Sequence, residues 1–184
     1  MKQTSSSKKK FFKKTTSHSS ASKFTLETIP KETLQHYITT IENTYQTTFK
    51  RYPNSVFINS KGKLFFSTLH QIPDNLKRIN SVGIYVGTLL NSGEIRLSLE
   101  GTQLLNTAKD NYCIIKNEFI NSYLSGENLF FNEIEEEHSS NHAPFFIIYD
   151  SLYEPLGVVS KKEEQKVYLN YLSKGRKMDF NKVF

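Results

Sequence analysis

The stretch SVGIYVGTLLNSGEIRLSLEG, residues 81–101, decides how the chain is read. Gly83, Gly87 and Gly93 punctuate apolar residues, and Gly101 closes the run. A phosphate-binding loop needs a strand that turns directly into a helix, so that the helix N-terminus faces the phosphate. A bent hairpin needs glycine only for positive φ or for close approach of two backbones. Here Gly83 and Gly87 read as lying inside one apolar strand, Asn91-Ser92-Gly93 leads to a second strand, and no Lys-Ser/Thr pair follows. In the second strand Ile95, Leu97 and Leu99 alternate with Arg96, Ser98 and Glu100, the pattern of a sheet wet on one side. The hairpin reading wins, and with it an antiparallel sheet.

On the N-terminal side, PKETLQHYITTIENTY places Leu34, Tyr37, Ile38, Ile41 and Tyr45 on one helical face. Pro30 suits its first turn and Glu32 the positive end of its dipole. SVFIN and KLFFST flank Ser60-Lys61-Gly62 as a hairpin, and IPDNLKRI reads as a short helix. On the C-terminal side, GTQLLNTA closes this half as a helix. From Asp110 the pattern changes to short strands and turns: YCIIK, the helix NEFINSYLSG with Asn117 as N-cap and Gly126 beyond its end, LFFNEI, an acidic loop EEEHSSNHAP, FFIIYD, LGVVS, KVYLNYL and RKMDF. Several strands with one small helix suggest a small β-barrel. The expected fold is α+β: an N-terminal antiparallel sheet with helices over 24–108, then a barrel over 109–184. Residues 1–23, rich in Ser, Thr and Lys, read as a disordered basic tail.

Charge is distributed unevenly. The formal net charge is +6, but residues 1–23 hold seven lysines and no acid, so the rest of the chain sums to −1. Residues 94–154 carry three bases and eleven acids, whereas 155–184 carry seven bases and three acids. A basic end beside an acidic middle suggests one face for an anionic partner, against the plain alternative of a solvated chain end. No apolar run approaches the roughly 18–20 residues of a transmembrane helix, and no apolar h-region follows the basic N-terminus. The single cysteine, Cys113, excludes a disulfide framework and a cysteine-based zinc site.

No catalytic constellation emerges. His138 and His142 have the i, i+4 spacing of a helical metal pair, but Ser139, Ser140 and Asn141 favour a loop without further ligands. His36 and His70 have no nucleophile or carboxylate partner in sequence, and Cys113 sits in a core strand, where a thiol is inert. The acidic residues cluster in a loop and not in an apolar pocket. The remaining candidates are basic: Lys161, Lys162 and Lys166 after LGVVS, and Lys174, Arg176 and Lys177 around Gly175, with Tyr168 and Tyr171 interleaved. Such residues neutralise phosphates and stack unpaired bases, unless the tyrosines pack in the barrel and the lysines are merely exposed.

NYCIIKNEFINSYLSGENLFF, FFIIYDSLYEPLGVV and the KGRK turn resemble a PUA domain, the RNA-binding β-barrel of pseudouridine synthases and archaeosine transglycosylases. KLFFSTLHQIPDNLKRINSVGIYVGTLLNSGEIRLSLEGTQLL is similar to the N-terminal domain of the Nip-seven family of large-subunit ribosome-biogenesis factors, and TIPKETLQHYITTIENTYQ lies at that family's first helix. The resemblance covers about residues 25–180, including domain order. It implies no enzymatic activity and no cofactor. It also implies binding of single-stranded pre-rRNA through basic residues of the barrel, here in the region of Lys162 and Lys166 and in the final turn. The expected partners are ribosome assembly proteins on the N-terminal domain; the chain is expected to be a monomer without membrane contact. An archaeal host implies the cytoplasm, a eukaryotic one the nucleolus. The runner-up expectation is the RNA-targeting subunit of a methyltransferase or pseudouridine synthase complex. A stand-alone modifying enzyme is disfavoured by the missing nucleophile–base set.

Overall fold

The structure, a computed structural model, describes residues 26–72, 79–140 and 143–179. The basic N-terminal segment, most of the short helix expected over 72–79, and His142 lie outside the described residues. Helix α1 (Lys31–Tyr45) buries the predicted stripe through Ile38, Ile41 and Tyr45, with Pro30 at its N-cap. Beside it runs a five-stranded antiparallel sheet in sequence order: β1 (Leu26–Thr28), β2 (Ser55–Asn59), β3 (Lys63–Ser67), β4 (Ile84–Leu89) and β5 (Ile95–Leu97). The opening stretch is a bent hairpin. The β3–β4 register shifts between Leu64 and Phe65, and Gly93 takes φ +92° in the turn.

Two boundaries differ from the sequence reading. Gly83 precedes β4. The second strand ends at Leu97, because Ser98 starts helix α2 (Leu99–Gln103): its hydroxyl accepts from the Gly101 N–H at 3.0 Å and donates to the Tyr85 carbonyl at 2.7 Å. This cap overrides the apparent alternation. Gly101 lets α2 lie directly on β4, since a Cβ there runs into the Val86 carbonyl.

The second half is a six-stranded mixed sheet, ordered β7-β11-β10-β9-β6-β8. Its strands are β6 (Tyr112–Ile115), β7 (Leu129–Phe130), β8 (Ile134–His138), β9 (Phe146–Tyr149), β10 (Pro155–Lys162) and β11 (Val167–Asn170). Only the β6–β9 pair is parallel among these neighbours. The two edge strands, β7 and β8, are joined by a single 3-10 turn at Phe131–Glu133, so the sheet curls to bring its edges together. The acidic loop of the sequence reading is in part strand β8. Its charges hide the strand signal because β8 is an edge, paired on one side to β6, with its side chains largely in solvent. Asn117 begins a 3-10 turn and is not a cap; α3 (Ile120–Ser125) ends on Gly126 at φ +99°. The expected strand RKMDF is instead a 3-10 turn at Lys174–Arg176 followed by irregular chain up to Asp179.

Strands β6, β9 and β10 are covered on both faces. Tyr112, Ile114, Phe145, Ile147, Tyr149 and Val158 join α1 and the first sheet in one apolar cluster. The alternate residues Cys113, Ile115, Phe146, Ile148 and Val159 face the inside of the curl with Tyr123, Leu129 and Tyr168. Burial on both sides is why YCII and FIIY are continuous apolar runs without alternation. On β10, Gly157 has φ +148° and passes so close to α3 that a Cβ there lies 2.5 Å from the Tyr123 hydroxyl.

The crossing between the halves is tied down by polar groups. Asn111, at φ +53°, donates from Nδ2 to the Thr44 carbonyl at the end of α1 at 2.5 Å. Tyr149 Oη accepts from the Ala108 N–H at 3.0 Å. Asp110, 2% exposed, accepts from the Asn111 and Ser140 N–H groups at 2.9 Å each and from the Ser140 hydroxyl. Burial alone raises its pKa, but these hydrogen bonds and His138 outweigh that and hold it below the usual carboxylate range. Among the described residues no helix is long and apolar enough to cross a membrane.

Candidate nucleic-acid interface

The β10–β11 hairpin divides the six basic candidates into two groups. Lys162 pairs with Val167, and Val159 with Asn170. Lys161, Lys162 and Lys166 therefore lie at the turn end, which we call the pole. Lys174, Arg176 and Lys177 follow β11 beyond its opposite end, about 13 Å away at the usual rise per residue.

At the pole, strand alternation separates neighbours. Lys161 shares a face with Val159 and Tyr168, toward the inside of the curl, and Lys162 points outward. The Lys161 ammonium is held by Glu137 of β8 at 2.7 Å and by Glu163 at 2.9 Å. Partial burial lowers its pKa, but the two carboxylates reverse this and keep it protonated. Glu137 also accepts a short hydrogen bond from the Tyr168 hydroxyl, so it stitches the edge strand to β10 and β11 across the curl. Lys161 is thus engaged in closing the sheet. Lys162 and Lys166 are exposed and make no ion pair among the described residues. Lys166 adopts a left-handed conformation, φ 52°, which ends the 3-10 turn at Glu163–Gln165.

The aromatic assignments change. Tyr168 is 1% exposed and belongs to the core of the curl, packed against Phe131 and Phe146, so it cannot stack on a base. Tyr171 is covered by Arg96, whose guanidinium sits 4.4 Å from the ring centre. The aromatic available at the pole is Phe130, which is 56% exposed and pairs in register with Val167, next to Lys166. The signal for it was in the sequence: in LFF, a buried Leu129 implies an outward Phe130 by period-two alternation.

At the far end, Lys174 is exposed, Lys177 lays its stem over Gly126, and Arg176 forms a close ion pair with Glu100 on α2. Arg176 thereby rims a groove of about 660 Å³ that also contains Lys61 and Lys63 of the first half. No motif in the sequence connects Lys61 or Lys63 to Arg176.

The other candidates are structural or solvent-facing. Cys113 is fully buried, and burial pushes its thiol pKa well up, keeping it protonated. His138 stacks on Tyr112 with ring planes 3° apart and reaches Asp110 at 3.4 Å. His36 and His70 are exposed. Among the described residues no group of three or more His, Cys, Asp or Glu is placed to hold a metal ion. No model of a known protein family matches this chain, and a search of curated proteins finds no match.

Proposed function

We propose that this chain is a non-catalytic RNA-binding factor in large ribosomal subunit assembly and pre-rRNA processing, and that its second half is a PUA-type domain. The observation that carries the reading is the juxtaposition of exposed Lys162 and Lys166 with exposed Phe130 at the pole. Two cations beside a bare aromatic ring suit a single strand, whose phosphates and unstacked bases they engage together. The family resemblance supplies the ribosomal context, and the curled sheet with its glycine-bearing β10 is consistent with it. Protein partners on the first half are supported by exposed Tyr52 and Ile84, which border an open groove of about 580 Å³. On this reading the compartment follows the host, cytoplasm in an archaeon and nucleolus in a eukaryote.

The test is crosslinking of the chain to RNA in its host, with gradient sedimentation of the crosslinked material. Crosslinks in large-subunit precursor RNA that sediment with pre-ribosomal particles are expected. A stoichiometric methyltransferase or pseudouridine synthase recovered in their place assigns the chain as that enzyme's RNA-targeting subunit. Absence of RNA crosslinks overturns both.

A further inference from the structure

The groove between the two halves is built differently from the pole. The turn after β2 is fixed by Asn59, whose Oδ1 accepts from the backbone N–H groups of both Lys61 and Lys63 at 3.0 Å each. This holds two lysines on one short loop. The floor is aromatic: Phe65 and Tyr85 lie 5.7 Å apart, and the Lys63 ammonium sits 5.2 Å from the Tyr85 ring centre. Asn80 adds an exposed amide, able to donate and accept. From the other half comes Arg176, ion-paired to Glu100, the one carboxylate in the lining among the described residues. Among the described residues the lining thus holds three cations and one carboxylate around an aromatic floor.

We infer that this groove is a second binding site for single-stranded RNA, in which Lys61, Lys63 and Arg176 engage successive phosphates. The inference rests on the RNA-binding reading above and extends it from one half of the molecule to both. Glu100 occupies the Arg176 guanidinium when the groove is empty, and an incoming phosphate exchanges with that carboxylate. The exchange makes Glu100 a competitor of the ligand, an effect the pole predicts nowhere near α2. Binding across the groove also spans residues more than a hundred positions apart, so it requires both halves folded together.

The experiment measures affinity of the full chain for a fluorescently tagged single-stranded uridine 20-mer across a salt series. Lys61→Ala with Lys63→Ala is expected to weaken binding about tenfold. It should also reduce the salt slope by about 1.4, at roughly 0.7 per phosphate contact on a single strand. Glu100→Gln is expected to strengthen binding about threefold more than Glu94→Gln, which makes the same charge change on the β4–β5 turn. A gain cannot come from misfolding, which protects the test against a damaged lysine variant. The groove is overturned if the lysine pair binds like wild type, or if Glu100→Gln gains no more than Glu94→Gln. If wild type binds and Lys162→Ala with Lys166→Ala weakens it while the groove variants do not, the groove alone falls. If wild type does not bind the RNA, the RNA-binding reading falls with it.

Discussion

The pole and the groove carry similar numbers of cations and differ in almost everything else. The pole is assembled from residues close in sequence, 161–166, with Phe130 brought in by strand pairing. Its charges are partly spent: Lys161 is committed to Glu137 and Glu163, and Glu164 stands on the same turn. The groove draws Lys61 and Lys63 from the first half and Arg176 from the second, and among the described residues its lining holds one carboxylate, Glu100. A contiguous run of lysines is easy to see and tends to be neutralised by its neighbours. Dispersed cations are hard to see, because only the folded chain brings them together.

The comparison is most strongly tested by removing both surfaces together. Alanine at Lys61, Lys63, Lys162 and Lys166 is expected to lower affinity for single-stranded RNA at least a hundredfold. The salt slope should drop by about 2.8, read by titration at several salt concentrations. A slope that falls only half as far shows that one surface is idle. A smaller and differently shaped effect is expected from Phe130→Ala: a loss of about 1–3 kcal/mol in RNA binding with no change in salt slope, because stacking releases no counterions. The same substitution should leave the melting temperature nearly unchanged, since the ring is largely in solvent.

The smallest expected effect comes from Asp110, which fixes the Asn111 N–H and through it the residue that bonds back to the end of α1. Its folded pKa lies below its unfolded value, so its contribution to stability is present above about pH 4 and is lost as pH falls through the folded value. Asp110→Asn removes that contribution, so the melting temperatures of wild type and variant should differ most near neutral pH and converge in acid. At neutral pH the variant should also weaken RNA binding about twofold through the groove, which needs both halves in register. The contribution of Lys162 and Lys166, which sit on one half, should be unaffected.

The fold was readable where burial leaves a plain mark. The stripe of α1 and the hairpins β2–β3 and β4–β5 follow from periodicity. YCII and FFIIY were legible as strands, though their unbroken apolarity gives no hint of which residue faces which side; that depends on what the first half supplies. β8 was hidden because an edge strand needs no apolar face, and Glu135–His138 has none. Leu99 continues the strand pattern in the sequence because the Ser98 cap competes with alternation over only a few residues. At the site, Lys162 and Lys166 were visible as charge. Lys161 and Tyr168 needed the strand direction to be recognised as inward. The groove was invisible, because chain topology alone puts Arg176 beside the loop held by Asn59.

The double covering of β6, β9 and β10 also bears on how the chain is made. Protein synthesis delivers α1 and the first sheet early, yet part of the cover for Ile38, Ile41 and Tyr45 is Phe145, Ile147 and Val158. Until those residues emerge, roughly a hundred positions later, the nascent first half carries an uncovered apolar face. It is then in the state most prone to aggregate or to be held by a chaperone.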